Sequence, residues 1–158
     1  MTKHFGYGSN LWKKQMRKRC PKNKRIGKGK LKDYRWIITE ERGYANIVEA
    51  KDDYVLGFVY EISATDEKEL DSKEGVSIGA YTKETMTIEV SGEKYECLVY
   101  IDRKNIVGGV GALQTIPRPC SVGCECTYTD RINNGIKDSL SDEDDYVEKY
   151  IRKFIDAN

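Results

Sequence analysis

Apolar positions along the chain change their period several times, and each change marks an element. From Tyr81 to Val90 the residues Thr82, Glu84, Met86, Ile88 and Val90 alternate strictly against those between them. Ser91-Gly92 then turns this strand into another over Tyr95 to Ile101. Tyr34 to Thr39 and Tyr44 to Glu49 predict a second hairpin across Glu40-Glu41-Arg42-Gly43. Tyr54 to Ile62 is rich in Val, Tyr, Phe and Ile with a glycine at 57, which predicts a strand buried on both faces with one close backbone approach. Phe5-Gly6-Tyr7-Gly8 ends a short first strand. After the Gly8-Ser9-Asn10 turn a helix runs from Leu11 to Arg19, with Leu11, Met16 and Cys20 near one face and Pro21 as its stop.

Ser63-Ala64-Thr65-Asp66 reads as an N-cap with an acidic first turn, so a helix covers Asp66 to Lys73 and ends at Glu74-Gly75. Ser141 and the acidic run after it cap a last helix, whose Tyr146, Val147, Tyr150, Ile151, Phe154 and Ile155 repeat at helical spacing. Asn105 to Cys126 is aperiodic, with Gly108-Gly109-Val110-Gly111 and Pro117-Arg118-Pro119, and reads as a long loop. No repeat or linker divides the chain, so one domain over 1–158 is expected, built on a mostly antiparallel, closed sheet.

Composition narrows the class. With 34% charged and 39% apolar residues in 158, the chain suits one soluble domain with a core and a pocket. The first residues lack the apolar run of a signal peptide and no window approaches the roughly 18 apolar residues of a membrane span, so a cytoplasmic protein without membrane contact is expected. Five cysteines, an odd number, then favour reduced thiols over a disulfide framework. Net charge is +1, but from Lys13 to Arg35 nearly every charge is positive and only Asp33 opposes them. That run raises the reading of a polyanion-binding module; Tyr34 and Trp36 are its only nearby rings, and a solvated helix-and-loop face is the commoner explanation.

Several familiar chemistries lack their residues. There is no phosphate-binding Gly-Lys-Ser/Thr loop and no two-histidine metal motif, and any Ser-His or Cys-His nucleophile would have to use His4, the one histidine. Cys120, Cys124 and Cys126 have a C-x3-C-x-C spacing, and a zinc site there would need a fourth ligand from Cys97, Cys20 or an acid. The Tyr7-Gly8-Ser9-Asn10-Leu11 strand-turn-helix is more informative. Gly8 lets the backbone approach a ligand, and amides at a helix start bind carboxylates or oxyanions.

Tyr7-Gly8-Ser9-Asn10-Leu11, then Met16-x-x-Arg19-Cys20-Pro21, Gly43-Tyr44-Ala45-Asn46-Ile47 and Leu70-Asp71-x-x-Glu74-Gly75-Val76-x-x-Gly79-x-Tyr81 resemble, in order and spacing, the γ-glutamylcyclotransferase family. The match continues to Tyr128, to Gly135 seven residues later, and to the closing segment with Leu140-Ser141 and Tyr146. The resemblance implies an α+β fold, a small, mixed, mostly antiparallel β-barrel flanked by helices. It implies further that Tyr7, Gly8, Ser9, Asn10 and Leu11 hold a γ-glutamyl group, that Tyr81 and Tyr128 line the pocket, and that Glu74 is the catalytic acid/base. Tyr100 stands at a similar strand position. No cofactor is implied, the partner is a small γ-glutamyl compound, and a homodimer is the largest assembly expected. The connection between Tyr100 and Tyr128 is longer than the family pattern.

The implied reaction needs no protein nucleophile, because the substrate's own α-amine attacks its γ-carbonyl and closes 5-oxoproline. One carboxylate shuttles the proton from attacking to leaving nitrogen. Such a Glu74 works best with its pKa raised toward neutrality by an apolar surround, for which Val76, Tyr81 and Phe58 are the nearest residues. Release of an amino acid is expected; a γ-glutamylamine cyclotransferase or a related γ-glutamyl-removing biosynthetic enzyme is the alternative of the same class.

Overall fold

Five strands close into a barrel in the order β1-β3-β2-β4-β5 in a computed structural model that describes residues 1–109, 118–119 and 125–158. The strands are β1 (Thr2–Gly6), β2 (Lys24–Ile38), β3 (Ala45–Ile62), β4 (Thr82–Val90) and β5 (Glu93–Ile101). Every pairing is antiparallel except the seam, where β1 lies parallel to β5 at His4↔Leu98. The mostly antiparallel, closed sheet expected from the sequence is therefore the one that forms. The β4–β5 hairpin keeps its expected turn, with both Ser91 (φ 50) and Gly92 (φ 83) in the left-handed region that a tight two-residue turn requires.

Two strands differ from the sequence reading, and for β2 glycine is the reason. β2 begins at Lys24 rather than Tyr34, inside the stretch read as basic helix and loop. Lys30 and Lys32 point outward while Gly29 and Leu31 are buried. A Cβ on Gly29 would lie 2.6 Å from Ile88 Cγ2, and one on Gly27 would lie 2.9 Å from Val90 Cγ1. Where β2 passes β4 the inward side has room only for hydrogen, so the period of two carries no apolar signal. β3 likewise runs unbroken through the polar Glu49–Asp53 segment instead of being two strands, bending at Asp52 (φ 68), whose amide bonds Asp33 Oδ1 at 3.1 Å.

The expected close approach at Gly57 is present, since a Cβ there would collide with Gly6 O and lie 2.7 Å from the Phe5 ring. Phe5, Trp36, Val59, Ile88 and Ile101 fill the barrel, and Met16, Cys20, Tyr60, Ile62, Leu70 and Tyr100 form a second cluster beneath the first helices.

The expected Leu11–Arg19 helix divides into a 3-10 turn, Ser9–Leu11, and α1, Lys13–Arg19. Helix α2 (Ala64–Lys73) has the expected Ser63 cap, with Asp66 returning a bond to the cap amide. Within the stretch read as a loop, Arg118–Pro119 (β6) pairs with Glu125–Cys126 (β7). Cys120, Cys124, Gly111 and Pro117 lie outside the described residues. Helix α3 (Tyr128–Ser139) is announced by a Thr127/Asp130 capping box rather than by the apolar spacing. The C-terminal segment is one α-turn, α4 (Asp144–Tyr146), capped by Glu143 rather than Ser141 and widening into a π-turn over Val147–Ile151. Its stripe of Tyr146, Val147, Tyr150, Ile151 and Ile155 is buried as expected. Among the described residues no helix is long and apolar enough to cross a membrane.

Candidate functional site

The end of β1, the Ser9–Leu11 turn, the C-terminus of α2 and the start of α3 converge on one cavity of about 640 Å³. Its walls include Tyr7, Gly8, Ser9, Asn10, Glu74, Tyr81, Tyr100 and Tyr128. Residues separated by up to 121 positions thus meet, and of the residues expected to bind or act on the substrate Leu11 alone stays out of the walls. Its side chain is fully buried in the barrel core, where it packs against the face of α3.

Glu74 is aimed inward by helix periodicity. It caps α2 four residues after Leu70, which is fully buried, so both project from the face that α2 presses on the barrel. Gly75 (φ 65) then takes the left-handed position that ends the helix, and its carbonyl accepts from Ala80 N at 3.0 Å. The Glu74 side chain is 19% exposed and its Oε1 lies 3.8 Å from Arg19. Burial raises the Glu74 pKa above the ordinary carboxylate value, and the Arg19 guanidinium opposes that rise without cancelling it. Tyr81 lines the cavity as expected, while Val76 and Phe58 pack behind it on the second cluster.

The Tyr7–Asn10 loop is braced from within. Asn10 Oδ1 accepts from Gln15 Nε2 and from Arg19, each at 3.0 Å, and Gln15 Nε2 also donates to Ser9 Oγ at 2.8 Å. Gln15 and Arg19 are four apart on α1 and so share the face toward the loop. Asn10 Nδ2 lies 3.3 Å from His4 Nε2, and His4 Nδ1 lies 3.3 Å from Leu98 O. A carbonyl only accepts, which places the ring proton on Nδ1 and leaves Nε2 to accept from the Asn10 amide. Burial pushes the His4 pKa down to about 4, so the ring is neutral. Asn10 therefore has its side chain engaged in the wall, holding Arg19 beside Glu74.

Three tyrosines complete the walls. Tyr7 OH donates to Tyr100 O at 2.6 Å, and Tyr81 OH donates to Ala45 O at 2.8 Å. Tyr128 OH accepts from Ala45 N at 3.2 Å, which leaves its own proton to donate. Burial raises the pKa of all three, that of Tyr128 to about 12, so all three are neutral phenols at pH 7. Gly8 is glycine for space, because a Cβ would lie 2.8 Å from that of Ala45. Arg19, Arg42 and Arg131 also line the cavity. Sequence reasoning gave them no role, although Arg131 follows Tyr128 at the i,i+3 spacing of one helix face.

Among the described residues no group of three or more His, Cys, Asp or Glu side chains is placed to hold a metal, and Cys20 and Cys97 are free thiols. Cys120 and Cys124, the other members of the candidate zinc set, are outside the described residues.

No curated protein is significantly similar in sequence to this chain. Solved structures share its fold. A human protein described as uncharacterized superposes with a TM-score of 0.73 at 21% identity, over 99% of this chain and 89% of that one. A structure named gamma-glutamyl cyclotransferase gives 0.71 at 21% identity, over 99% and 89%. YkqA from Bacillus subtilis gives 0.73 at 18% identity, over 98% of this chain and 55% of that one. The family described as "Gamma-glutamyl cyclotransferase, AIG2-like" matches residues 4–113, a span that carries the loop, Arg19, Glu74 and Tyr81, and the chain belongs to that family.

Proposed function

We propose that this protein cyclises the γ-glutamyl group of a γ-glutamyl amino acid, releasing 5-oxoproline and the amino acid, with Glu74 as general acid/base. The observation that carries the reading is a mostly buried carboxylate of raised pKa in the wall of the cavity that also holds the Tyr7–Asn10 loop.

The α-amine nitrogen attacks the γ-carbonyl carbon, forming the ring C–N bond as the bond to the leaving nitrogen breaks. Glu74 takes the proton that the attacking amine loses and returns it to the leaving nitrogen, so it begins and ends ionised. A pKa between that of a free carboxylate and that of an amine suits both transfers. Arg19 favours the ionised, proton-accepting form, because its charge stabilises the carboxylate. Folding the substrate back on itself is an orientation effect, for which intramolecular analogues reach effective molarities of about 10⁵ M or more. The braced loop with Tyr7, Tyr81 and Tyr128 supplies rigid walls for that conformation.

The test is 5-oxoproline release by purified protein from a panel of γ-glutamyl amino acids and γ-glutamylamines. Turnover of at least one amino-acid conjugate is expected, and failure of the whole panel to yield 5-oxoproline would overturn the reading.

A further inference from the structure

Charge in the cavity is unbalanced in a way that cyclisation alone does not use. Among its described lining residues Arg19, Arg42, Lys73 and Arg131 are cationic and only Glu74 is anionic. Arg19 is engaged by Asn10 and Glu74, and Lys73 lies 3.9 Å from Glu69. Arg131, on the same face of α3 as Tyr128, differs from both in that no carboxylate among the described residues pairs with its guanidinium; like that of Arg19, its Nε is buried with no hydrogen-bond partner among those residues. An unpaired buried donor keeps its desolvation cost uncompensated, so a ligand acceptor there would be rewarded. The Arg131 charge also acts unfavourably on that of Arg19, and a second anion would offset it. Arg42, in the exposed turn between β2 and β3, puts a third guanidinium at the rim.

We propose that Arg131, with Arg42 at the rim, forms a carboxylate-binding subsite for the group the reaction releases, so that the protein selects γ-glutamyl compounds whose leaving portion bears a carboxylate over those that release a plain amine. This rests on the cyclotransferase reading above. A γ-glutamyl head brings one carboxylate of its own, and after Glu74 has been matched by Arg19 that single charge leaves at least one guanidinium without a counterion. A leaving amino acid supplies the second carboxylate. Guanidinium is suited to it, since its planar fork pairs both carboxylate oxygens.

γ-Glutamylalanine and γ-glutamylethylamine differ only by the leaving-group carboxylate and form a matched pair. For the wild type we expect kcat/KM to favour γ-glutamylalanine by about ten- to hundredfold, the range of a charge-assisted hydrogen bond. Arg131→Gln is expected to shrink that preference at least tenfold, and Arg131→Lys to restore part of it. Thermal melting of both variants should stay close to the wild type, because the Arg131 guanidinium has no ion-pair partner among the described residues to lose. Equal kcat/KM for the two substrates in the wild type, or an equal loss on both in Arg131→Gln, would overturn the subsite. Calorimetric binding of the same pair to Glu74→Gln separates the two ideas. Tighter, Arg131-dependent binding of γ-glutamylalanine without turnover by the wild type upholds the subsite and removes the cyclisation reading, whereas absence of any binding removes both.

Discussion

Glu74 concentrates the chemistry proposed for this protein, and its environment makes two separable predictions. Glu74→Gln keeps shape and hydrogen bonding but removes the proton acceptor, so 5-oxoproline formation should slow by about 10² to 10⁴ while γ-glutamyl ligand binding, read by calorimetry, persists. Near wild-type turnover by the folded variant would remove Glu74 from the mechanism. The second prediction follows from linkage. Burial raises the folded pKa, so the fold holds the Glu74 proton more tightly than the unfolded chain does. The associated stability is fully present below the unfolded pKa and is lost as pH rises through the folded one. Above the folded pKa the ionised carboxylate is thus a cost, and Glu74→Gln should melt no lower than wild type there. The acid limb of the wild-type kcat/KM profile should lie above the ordinary carboxylate range, because activity falls as the base is protonated.

At the scale of elements, the site depends on α3 lying hard against the Ser9–Leu11 turn. A Cβ on Gly135 would sit 2.6 Å from Leu11 Cβ and 3.1 Å from the Leu11 and Trp12 backbone, so Gly135→Ala has to push the helix away. Tyr128 and Arg131 ride on that helix, two turns and one turn before Gly135 respectively. A displacement near 1 Å costs up to about 10²-fold in an oriented reaction. Turnover should therefore drop by tenfold or more with the barrel still folded, as judged by circular dichroism; wild-type kinetics would show that the packing of α3 does not set the site. The legibility of elements follows the same logic. Ser63 and Asp66 announce α2 because a capping box is local chemistry, and Ser91-Gly92 announces its hairpin because turn dihedrals are local. The first half of β2 stayed hidden because Gly27 and Gly29 answer to Val90 and Ile88, residues on another strand.

For the whole molecule, the barrel seam is where pH acts. β1 meets β5 at His4↔Leu98, and His4 Nδ1 adds a bond to Leu98 O across that join. His4 is 2% exposed, and its pKa falls from 6.5 unfolded to about 4 folded. Here the unfolded chain takes up the proton first, so stability falls as pH drops from 6.5 toward 4. A shift of that size amounts to about 3 kcal/mol, opposite in sign to the Glu74 contribution. Denaturant melts at pH 7, 5.5 and 4 should show this decline, and it should be much reduced in His4→Gln. The basic run is a second whole-molecule question. Arg19 turns into the cavity, Arg25 stacks 3.6 Å from the Phe58 ring centroid, and Lys28 pairs with Asp142 at 2.9 Å. A run continuous in sequence is thus dispersed over several surfaces, and DNA binding at physiological salt should be weak, as a salt titration of affinity would reveal.

Taken alone, the sequence determined whatever depends on neighbours in the chain: the caps of α2, the β4–β5 turn, the apolar stripe of the C-terminal segment, and a family motif set whose order and spacing carried the loop and Glu74 together. Tertiary structure decided what depends on residues far apart. It joined Tyr44–Glu49 to Tyr54–Ile62 as one strand, closed the barrel at His4, withdrew Leu11 into the core, occupied the Asn10 side chain with Gln15, Arg19 and His4, and set Arg131 in the cavity wall without a carboxylate partner among the described residues. The physical reason is that hydropathy and capping act over a few residues, whereas exclusion of a Cβ, the burial of a carboxylate and the absence of a counterion are properties of a place that only the folded chain creates.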